Sequence, residues 1–257
     1  MSASSRVHIG KIWVDRMSLR DVLRTVTDAL SSKTPKTIFY GNSYGVTLAE
    51  EDPAFAAAMV KADVIFCDGF GVYVASRILG EPIPERFTWA DWIDQLAATC
   101  RNAGESMFFL GAKEGVAAQA ARRLQALLPG LQVDSHHGHF DKSEASSREV
   151  IDLVNRSGAG VLLVGFGMPI QEIWITRHRA ELNPPVVFSV GAALDYAAGN
   201  VVRGPRLLTQ YGFEWLARLA IEPRRLWRRY LIGLPEFALL VLRQKMSGRR
   251  QLHAPSR

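Results

Sequence analysis

Asp68 has the setting of a residue that does chemistry. It follows the apolar run Val64-Ile65-Phe66-Cys67 and precedes Gly69, Phe70 and Gly71, which lead into a helical pattern ending at Leu79. A carboxylate so placed lies at the carboxyl end of a strand, where open α/β sheets bind their ligands. There it can carry the chemistry, with the rest of the core positioning a substrate against it. The same residue also fits a helix N-cap, a role worth roughly 0.5–2 kcal/mol. Asn42 stands at the tip of a second strand-to-helix turn, after Thr37-Ile38-Phe39-Tyr40 and Gly41. The stretch from Asn42 to Gly71 therefore carries two polar turn tips, and the remaining elements must position a substrate against them.

Other turns could hold phosphate. Val161 to Val164 reads as a strand, followed by Gly165-Phe-Gly167-Met-Pro169 and a helix. Backbone amides at such a turn, with the helix N-terminus, suit a phosphate or diphosphate. The pattern begins like a dinucleotide fingerprint but has Ile170 in the place of the third glycine. Gly111-Ala112-Lys113 forms a similar turn. Both patterns also fit tight βα geometry without a ligand. Asp195, just past the last core strand, fits a ribose or base contact and equally a cap. His136, His137 and His139 lack the helical spacing that would bring three ligands onto one ion, so they read as a solvated loop. No Asp-x-Asp, Ser/His/Asp or Cys/His arrangement stands out.

The elements that carry these turns follow from punctuation and period. Val7 to Val14 reads as one strand, and Ser18 caps a helix through Leu30. Asp52-Pro53 looks like N-cap and first helical residue. Strand 63–67 and helix 70–79 follow. After the loop Gly80 to Pro84, Thr88 caps a helix from Trp89 to Cys100 with Asp91 at the third position. Then strands (107–110, 131–135, 161–164, 186–190) alternate with helices (114–128, 143–156, 170–182). Strands separated by helical patterns imply βαβ units. The fold expected is α/β, a Rossmann-like, mostly parallel sheet flanked by helices.

Composition sets bounds. The chain has 257 residues, 48% hydrophobic and 22% charged, as in an ordinary globular protein with a sizeable core. Cys67 and Cys100 are too few for a disulfide framework, and MSASSRVHIGKIWVD shows no apolar signal region. A reducing cytoplasm is the expected compartment. The net charge of +6 is uneven: residues 201–257 hold 12 of the 31 Lys and Arg and 3 of the 25 Asp and Glu. The division expected is a core at 1–200 and a basic appendage at 201–257. Such asymmetry points to a polyanionic partner.

Within that appendage, Glu222-Pro223 starts a helix. At about 100° per residue, Arg224, Arg225, Arg228 and Arg229 share one arc, while Leu226, Trp227, Tyr230, Leu231 and Leu234 take the other. This is the pattern of a basic amphipathic helix at a membrane surface. The run from Tyr230 to Leu242 is broken by Pro235 and Glu236 and falls short of the ~20 residues a span needs. A nucleic-acid partner would leave the aromatic, apolar arc unexplained, so lipid is preferred.

Taken together, Asn42, AEEDPAF, ADVIFCDGFGV, RILGEPIPERF, GFGMPIQE, VGAALDYAAGNVVRGP and GFEWLARLAIEPRRLWRRYL resemble the WecG/TagA/CpsF family, glycosyltransferase family 26, from about Val7 to Lys245. The resemblance implies an inverting, metal-independent transfer of a sugar from a UDP-sugar to a polyprenyl-diphosphate-linked sugar, with no cofactor. It implies a cell-envelope or exopolysaccharide role at the inner face of the cytoplasmic membrane, and an appendage that meets the membrane and helps close the site. Asp68 takes the place of the general base. Asn42, Arg86, Asp91, Gln171 and Asp195 fall on pocket positions, and Arg218, Arg225 and Arg228 on appendage arginines near the diphosphates. Tyr40, Gly69, Gly111, Gly165 and Gly167 complete the expected substrate-binding set. Two departures stand out: Tyr40 replaces the family's threonine, and Trp89 its glycine. A non-catalytic nucleotide-binding regulator at the membrane is the competing expectation.

Overall fold

A computed structural model describes residues 6–201, 215, 216, 219 and 223–252. Six strands form one parallel sheet in the order β4-β3-β8-β7-β5-β6. These are β3 (Lys36–Gly41), β4 (Val64–Cys67), β5 (Met107–Gly111), β6 (Val133–His136), β7 (Val161–Gly165) and β8 (Val186–Ser189). Side chains alternate across it, as the pleat requires. Ile38, Tyr40, Phe66, Phe109, Leu163 and Phe188 enter one buried cluster with α1 (Leu19–Ser32), α5 (Trp89–Asn102), α6 (Val116–Leu127) and α9 (Ala193–Ala198). Phe39, Ile65, Phe108, Leu162 and Val187 enter the other, with α3 (Pro53–Val60), α7 (Glu144–Arg156) and α8 (Ile170–His178). The expected α/β sheet with helices on both faces is what the chain forms.

The first strand expected from the sequence is instead an antiparallel hairpin, β1 (Arg6–Ile9) and β2 (Ile12–Asp15). Gly10, at φ +58°, makes the turn that splits the run. The hairpin docks on the sheet through Asp15, whose Oδ2 accepts from Ile65 N at 2.7 Å. Local punctuation sets several helix starts. Ser18 and Asp21 form a capping box, Asp52 accepts from Ala54 N and Phe55 N, and Thr88 with Asp91 forms a second box. α8 is shorter than expected, ending at His178.

The C-terminal helix is built of α10 (Pro223–Trp227), a π-helical turn (Arg228–Ile232) and α11 (Gly233–Leu252). α11 lies against α2 (Ser43–Glu51) and α4 (Phe70–Leu79). Phe237 and Val241 are buried in the second cluster. Gln244 ties the helix to the hairpin, donating to His8 O at 2.7 Å and accepting from Gly10 N at 3.0 Å.

Candidate active site

The parallel register brings the two polar turn tips together. Gly41 pairs with Cys67, so Asn42 and Asp68 leave neighbouring strands side by side. Asp68 N donates to Gly41 O at 2.9 Å, which fixes the two turns to each other. Beyond them lies a cavity of about 710 Å³. Its floor is the carboxyl end of β4, β3, β8 and β7: Tyr40, Asn42, Asp68, Gly69, Gly167, Val190 and Gly191 line it. Its roof is the C-terminal helix, through Leu226, Arg228, Arg229, Tyr230, Ile232 and Leu234. The location is the one expected for a ligand site in an open α/β sheet.

Asp68 is half-buried and is not the N-cap of α4. That position belongs to Gly69, at φ +101° and with no side-chain cap. Gly69 has no side chain to cap the helix, and Gly69, Phe70 and Gly71 line the cavity. A helix N-terminus facing a cavity suits an anion. Asn42 does cap α2, its Oδ1 accepting from Gly45 N at 2.9 Å, so its NH₂ is the part left to a ligand. Arg86, Arg228 and Arg229 also line the cavity, and the Arg229 guanidinium sits 4.5 Å from the Tyr44 ring centre. Burial raises the Cys67 thiol pKa most; Asp68 adds to the rise and Arg86 opposes it, which puts both charges near that sulfur.

Behind the floor is a buried polar network. Gln171 is fully buried, and Oε1 accepts from Gly167 N at 3.1 Å and Gly191 N at 3.0 Å. Its Nε2 donates to Glu172 Oε1 at 2.7 Å and to the Tyr40 hydroxyl at 3.3 Å. One amide thus joins the ends of β3, β7 and β8, with all four of its hydrogen-bonding sites in use. Glu172 is also fully buried, and desolvation pushes its carboxyl up to about 7. Ser189 favours the charged form slightly, yet Glu172 Oε2 and Ser189 Oγ each lack a hydrogen bond among the described residues. Desolvation raises the Tyr40 phenol as well, with Glu172 and Asp68 adding to it and Arg229 opposing.

The expected site residues therefore divide. Asp68, Asn42, Tyr40, Gly69, Arg86, Gly167 and Arg228 meet at one cavity. Gln171 sits beneath it as a brace. Asp91 serves the α5 capping box, its Oδ2 accepting from Thr88 N at 2.8 Å and from Thr88 Oγ1 at 2.9 Å. Gly111 and Gly165 pack strand against strand: a Cβ on Gly111 would lie 2.6 Å from Gly165 O, and one on Gly165 2.8 Å from Gly191 O. Asp195 lies in the first turn of α9, whose N-cap is Ala192, and at this end Tyr196 makes the cavity wall. Arg225 is in α10 with its side chain outside the described part, and Arg218 lies outside the described residues. None of His136, His137 and His139 lines the cavity. Sequence reasoning missed Tyr44, Gly191, Tyr196 and Glu172; the only signal for the last was a charged residue within an otherwise core-facing helix.

Gly191 is the tightest of these. At φ +54° it passes under Tyr40, and a Cβ there would come within 2.6 Å of the hydroxyl. Gly191→Ala is expected to cost about 1–2 kcal/mol from the left-handed backbone alone and to displace Tyr40. Chemical denaturation and ligand calorimetry check both effects; unchanged stability and affinity contradict this packing.

The C-terminal helix departs from the two arcs expected. Leu226 and Tyr230 are buried inward, whereas Trp227, Leu231, Ile232, Leu239, Leu242 and Met246 are exposed. Arg228, exposed, and Arg229, half-buried, both line the cavity. The helix thus has a core side, a basic cavity side and an exposed apolar side, and Ile232 belongs to both of the last two. Among the described residues, no helix is long and apolar enough to cross a membrane.

Comparison with known proteins adds to this geometry. The model of the "Glycosyl transferase WecG/TagA/CpsF family" matches residues 7–251. An N-acetylglucosaminyldiphosphoundecaprenol N-acetyl-beta-D-mannosaminyltransferase of Bacillus spizizenii is 29% identical over 200 residues, 78% of this chain and 76% of the relative. A protein of the same name from Staphylococcus aureus is 26% identical over 246 residues, 95% of each chain.

Proposed function

The chain belongs to the WecG/TagA/CpsF family of glycosyltransferases, and from that premise we propose that it transfers a sugar from a UDP-sugar to a polyprenyl-diphosphate-linked N-acetylglucosamine, with inversion and without a metal. The observation that carries this reading is the meeting of Asp68, three arginines and the N-terminus of α4 at one cavity. Asp68 accepts the proton of the acceptor hydroxyl as that oxygen attacks the anomeric carbon. The bond from that carbon to the UDP oxygen breaks, and UDP leaves with its negative charge. Arg86, Arg228, Arg229 and the first amides of α4 stabilise that charge and the acceptor's diphosphate. The relatives' names support the acceptor class and make N-acetylmannosamine the first sugar to try. Incubation with a panel of UDP-sugars and a short polyprenyl-diphosphate N-acetylglucosamine tests it. A lengthened lipid with one donor is expected; nucleotide binding without product from any donor would instead make the chain a regulator.

Residues 201–257 act as the membrane-docking appendage, at the inner face of the cytoplasmic membrane. The exposed apolar side of the helix, reaching the cavity mouth at Ile232, supports this. Each large apolar side chain fully buried in lipid contributes about 1.5–3 kcal/mol. Changing Trp227, Leu231 and Leu239 together to Glu is expected to lower co-sedimentation with anionic vesicles at least tenfold. Turnover of a water-soluble acceptor should hold. Unaltered vesicle binding would refute the docking side.

A further inference from the structure

Tyr40 occupies the floor of the cavity, on the strand beside Asp68. Its hydroxyl accepts from Gln171 Nε2, and the Gln171 amide cannot turn over. A flip would set its carbonyl against Glu172 Oε1 and the phenol, and its NH₂ against two backbone N–H groups. The acceptor side of the Tyr40 oxygen is therefore used from behind. Among the described residues its own hydrogen goes to no protein acceptor. Gly191, which has no side chain, allows the ring to sit this far forward.

We propose that Tyr40 is a specificity-determining residue, a hydrogen-bond donor held by Gln171 for an uncharged acceptor oxygen on the sugar of the nucleotide donor. The proposal rests on the reading of the cavity as a UDP-sugar site. The donor sugar is set against Tyr40 because Tyr40 lies on the strand beside Asp68, where the proposed reaction puts the anomeric carbon. The oxygen is uncharged because the Asp68 carboxylate shares this floor with the phenol. A carboxylate on the sugar would set a second negative charge beside it, whereas an acetamido carbonyl or a sugar hydroxyl fits. A site built around a hydrogen bond rejects a ligand that cannot make it far more strongly than an apolar site rejects a missing methylene.

The test compares the wild-type chain with Tyr40→Phe, which keeps the ring, using the donor that gives most product and UDP alone. The expected result is at least a fivefold fall in kcat/KM for that donor, with the UDP inhibition constant and the acceptor KM within twofold of wild type. A smaller fall, or an equal loss of UDP affinity, overturns the assignment. So does a preference of the wild-type chain for a uronate donor. Absence of product from wild type with every donor is a separate outcome, which refutes the transferase reading and the assignment with it.

Discussion

Asp68→Asn is expected to lower kcat by about 10²–10⁴-fold, the range a positioned proton acceptor contributes, while the protein stays folded and still binds UDP. The substitution keeps the shape and removes the basicity. Three features make this a measurement of chemistry rather than of folding. Asp68 is half-buried at the cavity rather than in the core. The N-cap position of α4 is Gly69 rather than Asp68. The backbone bond that fixes the turn, Asp68 N to Gly41 O, does not involve the side chain. Single-turnover assays with pre-bound donor, together with thermal melts, separate the cases. Full turnover in the variant would remove the base from Asp68, and loss of folding would make the residue structural.

Glu172→Gln is expected to make the protein more stable as pH rises, relative to wild type. Burial lifts the Glu172 carboxyl from 4.5 to about 7 in the folded chain. Between those values the native state holds a proton that the unfolded state has released, so wild-type stability falls with rising pH. At ~1.4 kcal/mol per unit, the shift amounts to roughly 3 kcal/mol, fully lost above pH 7. A glutamine keeps the oxygen that accepts from Gln171 and cannot ionise. Denaturant midpoints at pH 5, 6, 7 and 8 should therefore show the variant gaining on wild type across the interval and levelling off beyond it. A difference that stays flat with pH would show that Glu172 does not titrate there.

Much of this was legible in the sequence because short-range chemistry sets it. Ser18 with Asp21, Asp52 with Pro53, and Thr88 with Asp91 announce helix starts through caps that form within four residues. The two turn tips were visible because polar residues directly after apolar strands have few other uses. The hairpin was hidden because Gly10 interrupts a run that otherwise alternates like one strand. Gln171 looked like a ligand contact, since a buried brace and a pocket amide have the same local sequence; only the fold places Gly167, Gly191 and Tyr40 around it. The tail's inward and outward apolar residues could not be sorted from an α-helical period. The π-turn at Arg228–Ile232 shifts the phase, and which face meets the core depends on α2 and α4, far away in the chain.

In the proposed reaction, guanidinium groups and helix amides carry the charge of the departing UDP. The most direct test is the rate of lipid-linked product formation in saturating chelator, compared with the rate in added magnesium or manganese. The same rate in all three is predicted. A rate that collapses in chelator and returns with the metal would contradict it.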